Sequence, residues 1–250
     1  MPELTLARLA PLRLLLEGYA YGELPEFESF ARTITEVQLR TGRDLIIAGE
    51  PHPYVYFVLQ GLLHVHDGKT GGQRRTFEIV EENQFAASLS ALGMAGVKHL
   101  FQTGFDRRNV DLSAAAAGLA KTTTTALEPT VLLRLDFGRI ERLSRKSAAW
   151  GQLLINFLVA QVLHLEEDNQ RARYLSTEER FRLLLQERPS LVERAKRRDL
   201  ASYLGVTPVG LGRIMARVAD DQASAPEAPP PRPIDAVTIE LEERQHAFER

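Results

Sequence analysis

The segment 197–218, RRDLASYLGVTPVGLGRIMARV, predicts two short helices joined by a tight turn at Gly205. Two helices that cross over such a turn need apolar residues on both inner faces, a small residue where the helices touch, and glycine where the chain reverses. A generic helical hairpin rarely meets all of these requirements together. In this segment they are met by Leu200, Ala201, Leu204, Gly205, Val206, Leu211 and Ile214.

The start of the second helix is marked by Thr207 and Pro208. A threonine hydroxyl can accept a hydrogen bond from the first turn of a helix, and a proline at the first helical position loses no helical hydrogen bond. We therefore predict a helix-turn-helix unit whose second helix begins at Pro208. Units of this kind place their second helix in the major groove of DNA.

The composition excludes several classes of protein. The chain has 250 residues, of which 44% are hydrophobic and 26% charged, and it contains no cysteine. This length fits two domains, and the absence of cysteine rules out disulfides, thiol nucleophiles and cysteine-ligated metals. No secretory leader and no apolar run near the ~20 residues that span a bilayer are evident, so we predict a cytoplasmic protein with no membrane partner.

No pattern of catalytic residues emerges either. The stretch DGKTGG lacks the residue order of a phosphate-binding loop, and we find no Ser/His/Asp set and no pair of carboxylates at a useful spacing. His64 and His66 fall on the same face of a strand, which fits either a metal or haem ligand pair or an ordinary pair of surface histidines. We predict no enzyme activity and no metal site.

Charge is distributed unevenly along the chain. Residues 171–218 hold ten Arg and one Lys against four Glu and one Asp, a net charge of +6. Residues 219–250 hold three Arg against eight acids, a net charge of −5, which leaves −3 for residues 1–170. A basic block between acidic ones is typical of a module that binds a polyanion, although a solvated helical face can have the same composition.

The first half of the chain changes its periodicity. Residues 4–33 have a helical pattern, whereas short β-rich runs punctuated by glycine follow up to about residue 80. The pair KTTTTALE and TVLLRLD completes this pattern near Asp136. Strands this short and this regularly spaced predict an antiparallel barrel or sandwich. The segment 93–119 has no clear period and predicts a short helix with a long loop.

The longest helical pattern runs from about 144 to 175 and is apolar on two faces. One stripe contains Trp150, Leu154, Phe157 and Gln161, and the other contains Ile155, Leu158, Val162 and Leu165. A helix with two apolar faces needs two partners, and the simplest pair is the β-domain and the same helix of a second subunit. The alternative is a helix buried entirely within its own domain. We assign Trp150, Leu154, Phe157 and Gln161 to the dimer contact.

Three segments resemble the Crp/Fnr family of bacterial transcription regulators. ERAKRRDLASYLGVTPVGLGRIMARV is similar to the family's C-terminal helix-turn-helix, LRTGRDLIIAGEPHPYVYFVLQGLLHVH to its cyclic-nucleotide-binding-type barrel, and TTTTALEPTVLLRLD to the closing strands of that barrel. The resemblance implies an α+β fold with an N-terminal antiparallel β-barrel of the jelly-roll type, a long dimerisation helix and a winged-helix-like C-terminal domain. The domains would be residues 1–143, 144–175 and 176–218, followed by a proline-rich acidic tail, 219–250.

The resemblance also implies DNA contacts. Arg213 matches an arginine of the second helix that typically binds guanine, whereas Pro208 and Val209 stand where many members have arginine and glutamate. Gly210 and Gly212 indicate either a close approach to DNA or simple drift. Further contacts, to phosphates, are assigned to Thr207, Lys196, Arg197, Arg198 and Arg217, which could equally be solvated surface residues.

The effector pocket departs from the family pattern. Ala87 and Ser88 replace the glycine and glutamate that hold a cyclic nucleotide, Leu89 is retained, and the arginine position falls at Ala120, beside Lys121. Neither Ser88 nor Lys121 can pair as the usual residues do. We therefore expect no cyclic nucleotide and no cofactor, but another effector or none. The candidate pocket residues are Ala87, Ser88, Leu89, Lys121, Thr122 and Thr123.

Together these observations predict a homodimeric, sequence-specific DNA-binding regulator. Its partners would be double-stranded DNA and a second copy of the chain, with RNA polymerase as a further candidate. The alternative is a divergent member that serves as a sensory or protein-interaction scaffold and does not recognise a DNA sequence.

Overall fold

The computed structural model describes residues 6–67, 75–92 and 113–224. The first part of the chain contains helices α1 (Leu6–Ala20) and α2 (Phe27–Ala31), strands β1 (Thr35–Leu39), β2 (Asp44–Ile46), β3 (Tyr54–Gln60), β4 (Leu63–His66), β5 (Thr76–Val80) and β6 (Phe85–Ala86), helix α3 (Ser113–Ala117) and strands β7 (Thr123–Ala126) and β8 (Thr130–Asp136). Helices follow: α4 (Phe137–Ser144), α5 (Ala148–Tyr174), α6 (Thr177–Glu187), α7 (Pro189–Arg194), α8 (Arg197–Leu204) and α9 (Pro208–Ser224).

The eight strands form two antiparallel sheets, with strand orders β1-β8-β3-β6 and β2-β7-β4-β5. In the first sheet β8 pairs with both β1 and β3, and in the second β4 pairs with both β5 and β7. Apolar side chains from both sheets, such as Val58 of the first and Leu63 of the second, pack into one buried cluster, which we call the barrel interior. The predicted α+β fold with an antiparallel barrel is confirmed.

The opposite face of the first sheet carries helices. Phe57 and Leu133 alternate with the residues of the barrel interior and pack with α1, α2, α4 and α5 in a second cluster, the helix-covered core. Trp150 of α5 is fully buried there, 5.0 Å from the ring of Phe30, and its Nε1 donates to the carbonyl oxygen of Pro25 at 2.8 Å. Burial of a side chain of this size contributes roughly 1.5–3 kcal/mol.

Helix α5 is long and apolar enough to cross a membrane by length and composition, since one 18-residue window has a mean hydropathy of 1.4. The sequence analysis expected no such run. Its first half nevertheless packs on protein: Trp150 and Leu153 are buried, and Nδ2 of Asn156 donates to the carbonyl oxygen of Tyr19 in α1 at 2.7 Å. One side of the helix therefore has a protein partner within the chain.

The short helices after α5 begin where the sequence places their caps. Ser176 and Glu179 form a capping box in which the Ser176 hydroxyl accepts from the Glu179 amide and the Glu179 carboxylate accepts from the Ser176 amide. Helix α9 continues to Ser224, so the predicted linker does not start at residue 219. The chain divides into two compact units, Met1–Ile214 and Met215–Arg250. Most of the 93–119 insert and the tail after Ser224, where the predicted winged-helix-like domain would have its wing, lie outside the described residues.

Candidate nucleic-acid interface

The turn between α8 and α9 has the predicted geometry. Gly205 follows the last residue of α8 with φ 75° and ψ 28°, a left-handed conformation that glycine adopts without strain. The amide of Val206 donates back to the carbonyl oxygen of Ala201 at 2.9 Å, which closes the end of α8. The Thr207 hydroxyl then accepts from the amide of Gly210 at 3.0 Å, so Thr207 caps α9 and Pro208 is its first residue, as predicted.

The inner faces of the two helices are buried, as the sequence pattern requires. Ala201 and Leu211 have no exposed surface, and Leu200, Leu204 and Ile214 are at most 7% exposed. The guanidinium of Arg180 in α6 donates to the carbonyl oxygen of Leu204 at 2.7 Å and so ties the end of α8 to α6. The pair α8–α9 is therefore held as one unit by its own core and by a contact from the helix before it.

The outer face of α9 is open to solvent in the subunit. Arg213 is exposed, and Val209 is 68% exposed even though its side chain is apolar. The cations assigned to phosphate contacts are also exposed, and three of them lie at the start of α8. A polyanion could thus reach Thr207, Pro208, Val209, Arg213 and Arg217 of α9 and its cap, and Lys196, Arg197 and Arg198 of α8.

The two glycines of α9 have different surroundings. A Cβ added to Gly212 would lie 3.6 Å from Nη1 of Arg197, which is an ordinary contact with α8. A Cβ added to Gly210 would lie 3.2 Å from Oγ1 of Thr207, which would crowd the cap. Gly212 is therefore directed toward α8, and the structure gives only Gly210 a local reason to lack a side chain.

The sequence matches no protein-family model and no curated protein. Solved structures with the same architecture exist, however. One is FixK2 from Bradyrhizobium japonicum, with a TM-score of 0.59 and 16% identity over 76% of this chain and 86% of that chain. Another is CLP, a c-di-GMP-responsive global regulator of Xanthomonas campestris, with a TM-score of 0.53 and 16% identity over 78% of this chain and 91% of that chain.

The chain has the fold of the Crp/Fnr regulators. At 16% identity the likeness concerns the fold alone.

The candidate effector residues do not converge on one cavity. Ala87 packs against the helix-covered core, and Leu89 is 45% exposed. The Ser88 hydroxyl is bonded to the hydroxyl of Ser90 at 3.1 Å. On β7, Thr123 pairs with His66 and lies on the face away from the barrel interior, while Lys121 is exposed and Thr122 half-buried.

The place expected for an arginine is filled by apolar packing. Ala120 is 2% exposed and belongs to the barrel interior. Its amide donates to the carbonyl oxygen of Glu50 at 2.9 Å, and its carbonyl oxygen accepts from Gly49 at 2.8 Å, so its backbone is fixed on both sides. Tyr56 belongs to the same buried cluster, and burial raises the pKa of its phenol to about 12. The position where the resemblance implies an arginine therefore holds a small, buried apolar side chain.

His64 and His66 are buried, so they are not a surface pair. Their ring centroids are 4.5 Å apart and each residue is 3% exposed. Both nitrogens of His66 have protein partners, since Nδ1 lies 2.8 Å from the carbonyl oxygen of Asp67 and Nε2 lies 2.9 Å from the hydroxyl of Thr125. Among the described residues no group of three potential metal ligands is found.

The two apolar stripes of α5 differ in how far they are buried within the subunit. The stripe assigned to the dimer contact faces the chain's own core: Trp150 is buried, Leu154 packs against the helix-covered core, and the Phe157 ring meets Tyr19 and Phe85 at centroid distances of 5.8 and 5.4 Å. Gln161, the fourth residue of that assignment, is half-buried. In the other stripe Ile155, Val162 and Leu165 are 57%, 54% and 55% exposed, and Leu158 is half-buried.

Two arginines of α7 and its N-terminus carry no functional signal in the sequence. Arg188, just before α7, is bonded to Glu81, and Arg194, its last residue, is bonded to Glu82; both glutamates lie in the barrel, more than a hundred positions earlier in the chain. Local spacing carries no signal for pairs this distant. Only the basic and acidic blocks of the charge distribution hinted that such contacts could form.

Proposed function

We propose that this chain is a homodimeric, sequence-specific DNA-binding transcription regulator of the cytoplasm. The observation that carries the proposal is the unit α8–α9, whose inner faces are buried and whose outer face, with Arg213 and Val209, is open to solvent. An arginine fork on such a helix can donate two hydrogen bonds to guanine, and a valine can contact the methyl group of thymine. Both contacts require the exposure that the structure gives these side chains.

Affinity would come mainly from the cations at the start of α8. Lys196, Arg197 and Arg198 are exposed next to α9, and each is long enough to follow a phosphate backbone. Because such contacts release counterions, binding should fall steeply with salt. With one arginine and one valine facing the bases, we expect specificity to depend in part on DNA shape.

The second copy of the chain would cover the exposed stripe of α5. Ile155, Leu158, Val162 and Leu165 are spaced alternately three and four residues apart, as in a coiled-coil seam, with β-branched residues alternating with leucine. This arrangement favours two parallel strands. Asn169 takes the next seam position, and a polar residue there typically fixes the register at some cost in stability.

The dimer is tested by two neighbouring residues with similar exposure. Val162 and Leu163 are 54% and 58% exposed, but only Val162 lies in the seam. We expect Val162→Asp to convert the dimer into a monomer in analytical ultracentrifugation, whereas Leu163→Asp should leave the dimer intact. Equal effects of the two substitutions, or a monomeric wild type, would refute the seam.

For the effector, we propose a ligand other than a cyclic nucleotide, or none. The support is the apolar packing around Ala120 and the absence of a glutamate at Ser88. If a ligand acts, it must bind one arrangement of the dimer more tightly than another, since equal affinity shifts no equilibrium.

Selection from a pool of random duplexes tests the proposed function directly. We expect enrichment of an inverted repeat whose half-sites are about one DNA turn, ~34 Å, apart, and loss of that enrichment in Arg213→Ala. Helix α9 begins with Pro208 and Val209, where many family members have arginine and glutamate. This difference also fits a scaffold that does not recognise a DNA sequence. Retention that is salt-sensitive but blind to sequence would establish that second function instead.

A further inference from the structure

The segment that precedes α8–α9 is bonded to the barrel by two arginines, Arg188 before α7 and Arg194 at its end, which we call the docking arginines. Arg188 donates through Nε to the carboxylate of Glu81 and through Nη2 to the carbonyl oxygen of Ile79 at 2.6 Å. The side chains of this pair are only 20% and 15% exposed. Arg188 thus contacts the end of β5 and the turn that follows it.

Arg194 makes the second attachment. Its two terminal nitrogens bond both oxygens of Glu82, at 2.7 and 2.9 Å, and one of them also bonds Glu128 in the turn before β8. Burial raises the pKa of Glu82, but the hydrogen bonds from Arg194 and the Gly61 amide outweigh this effect and lower the pKa to about 2. The bidentate pair is a geometry that arginine forms and lysine does not.

A third contact joins α8 itself to the barrel. The amide of Thr76 in β5 donates to the hydroxyl of Ser202 in α8 at 2.9 Å. Strand β5 is at the edge of its sheet, so this amide would otherwise face solvent or another chain. Helix α8 therefore covers a sheet edge, and the docking arginines lie just before it in the chain.

Docking leaves the outer face of α9 exposed. Val209 is 68% exposed and Arg213 is exposed in the same arrangement in which Arg188, Arg194 and Ser202 are bonded to the barrel. The contact therefore does not hide the surface that would bind DNA. What it fixes is the direction in which the first turns of α9 point from the barrel and α5.

We propose that Arg188 and Arg194 are positioning residues for DNA binding, which hold α8–α9 on the β5 edge and thereby set the separation of the two α9 helices in the dimer. This inference rests on the proposed function. Without docking, the unit is tethered through the joint between α5 and α6, and fewer molecules have both α9 helices at the separation that one DNA turn requires. The apparent affinity for DNA then falls in proportion to the fraction of dimers that remain competent to bind.

Docking itself is tested without DNA, by hydrogen exchange at the Thr76 amide. We expect strong protection in the wild type, loss of it in Glu81→Arg and in Arg188→Glu, and partial recovery in the double variant, where the charges are exchanged but the hydrogen bond from residue 188 to the carbonyl oxygen of Ile79 is lost. The Val58 amide, bonded to Gln84 within the barrel at 3.0 Å, is the control and should stay protected in all four proteins. Protection of Thr76 that survives both single changes would overturn the docking role.

Positioning is tested by varying the spacing between the two half-sites of the selected repeat. Both single variants should bind the best spacing about tenfold more weakly and lose most of the preference for it, and the double variant should regain part of each. A simple charge effect would instead make Glu81→Arg bind more tightly and Arg188→Glu more weakly. That outcome, or an unchanged spacing preference, overturns the proposal. If the wild type selects no repeat, the proposed function fails, while the Thr76 measurement still decides docking.

Discussion

Ala120 in the barrel interior and Arg213 on the outer face of α9 stand in opposite environments. In the barrel interior Ala120 is 2% exposed and the position expected for an arginine is filled by apolar packing. On α9 the arginine that the resemblance implies for a DNA contact, Arg213, is present and exposed. The resemblance, which covers about residues 25–218, therefore has a different outcome in the two regions: the arginine that it implies is present on α9 and absent at Ala120.

The difference follows from how each region is stabilised. The barrel interior depends on close packing of side chains from both sheets, so a charged ligand or side chain there must be desolvated. The pair α8–α9 is stabilised on its inner faces and by contacts to the barrel, so its outer face can carry any side chain at little cost. The same fold can thus keep the side chain expected at one candidate site and replace it at the other.

The largest expected effect is that of placing the missing arginine. We predict that Ala120→Arg lowers the free energy of unfolding by about 3–5 kcal/mol in urea denaturation, because an unpaired charge would be buried in apolar surroundings. The neighbouring Lys121→Arg, at an exposed position, should change it by less than about 0.5 kcal/mol. If the Ala120→Arg protein is as stable as the wild type and binds a cyclic nucleotide, the barrel interior is a usable pocket after all.

The sequence predicted the local geometry of α8–α9 well because each requirement is set within a few residues. Gly205 at the turn, Thr207 at the cap and Ala201 at the contact all depend on short-range sterics and hydrogen bonds. The composition of the tail predicts a linker from residue 219, whereas α9 continues to Ser224, because no helix breaker occurs before Pro226.

Contacts between distant segments could not be predicted in the same way. Periodicity showed two apolar stripes on α5, but which stripe is buried depends on Tyr19 of α1 and Phe85 of β6, which meet Phe157. The pairs Arg188–Glu81 and Arg194–Glu82 have no local signature at all. The sequence of one helix therefore shows which of its faces are apolar or charged, but not which distant segment packs against each face.

Alanine substitutions on the exposed surface of α8–α9 should have effects of intermediate size, and they distinguish base contacts from phosphate contacts. We predict that Arg213→Ala lowers discrimination at one guanine by about 1–3 kcal/mol and that Arg197→Ala weakens binding to all sequences alike. Arg197→Ala should also reduce the slope of log affinity against log salt by about 1, because one phosphate contact is lost. Competition assays at several salt concentrations measure both quantities. The opposite pattern would mean that Arg213 contacts the backbone.

The smallest effects on stability are expected from alanine substitutions at the two glycines of α9. They test whether DNA binding requires glycine at these positions. Gly212→Ala should stabilise the protein by up to about 1 kcal/mol, because alanine has the higher helix propensity and the new Cβ makes an ordinary contact with Arg197 at 3.6 Å. Gly210→Ala should gain less, since its Cβ would stand 3.2 Å from the Thr207 hydroxyl that caps the helix. Thermal unfolding measures both changes. Because Gly212 is directed toward α8, its alanine variant should bind DNA as the wild type does; a variant that is more stable but binds more weakly would show that DNA approaches the backbone at Gly212.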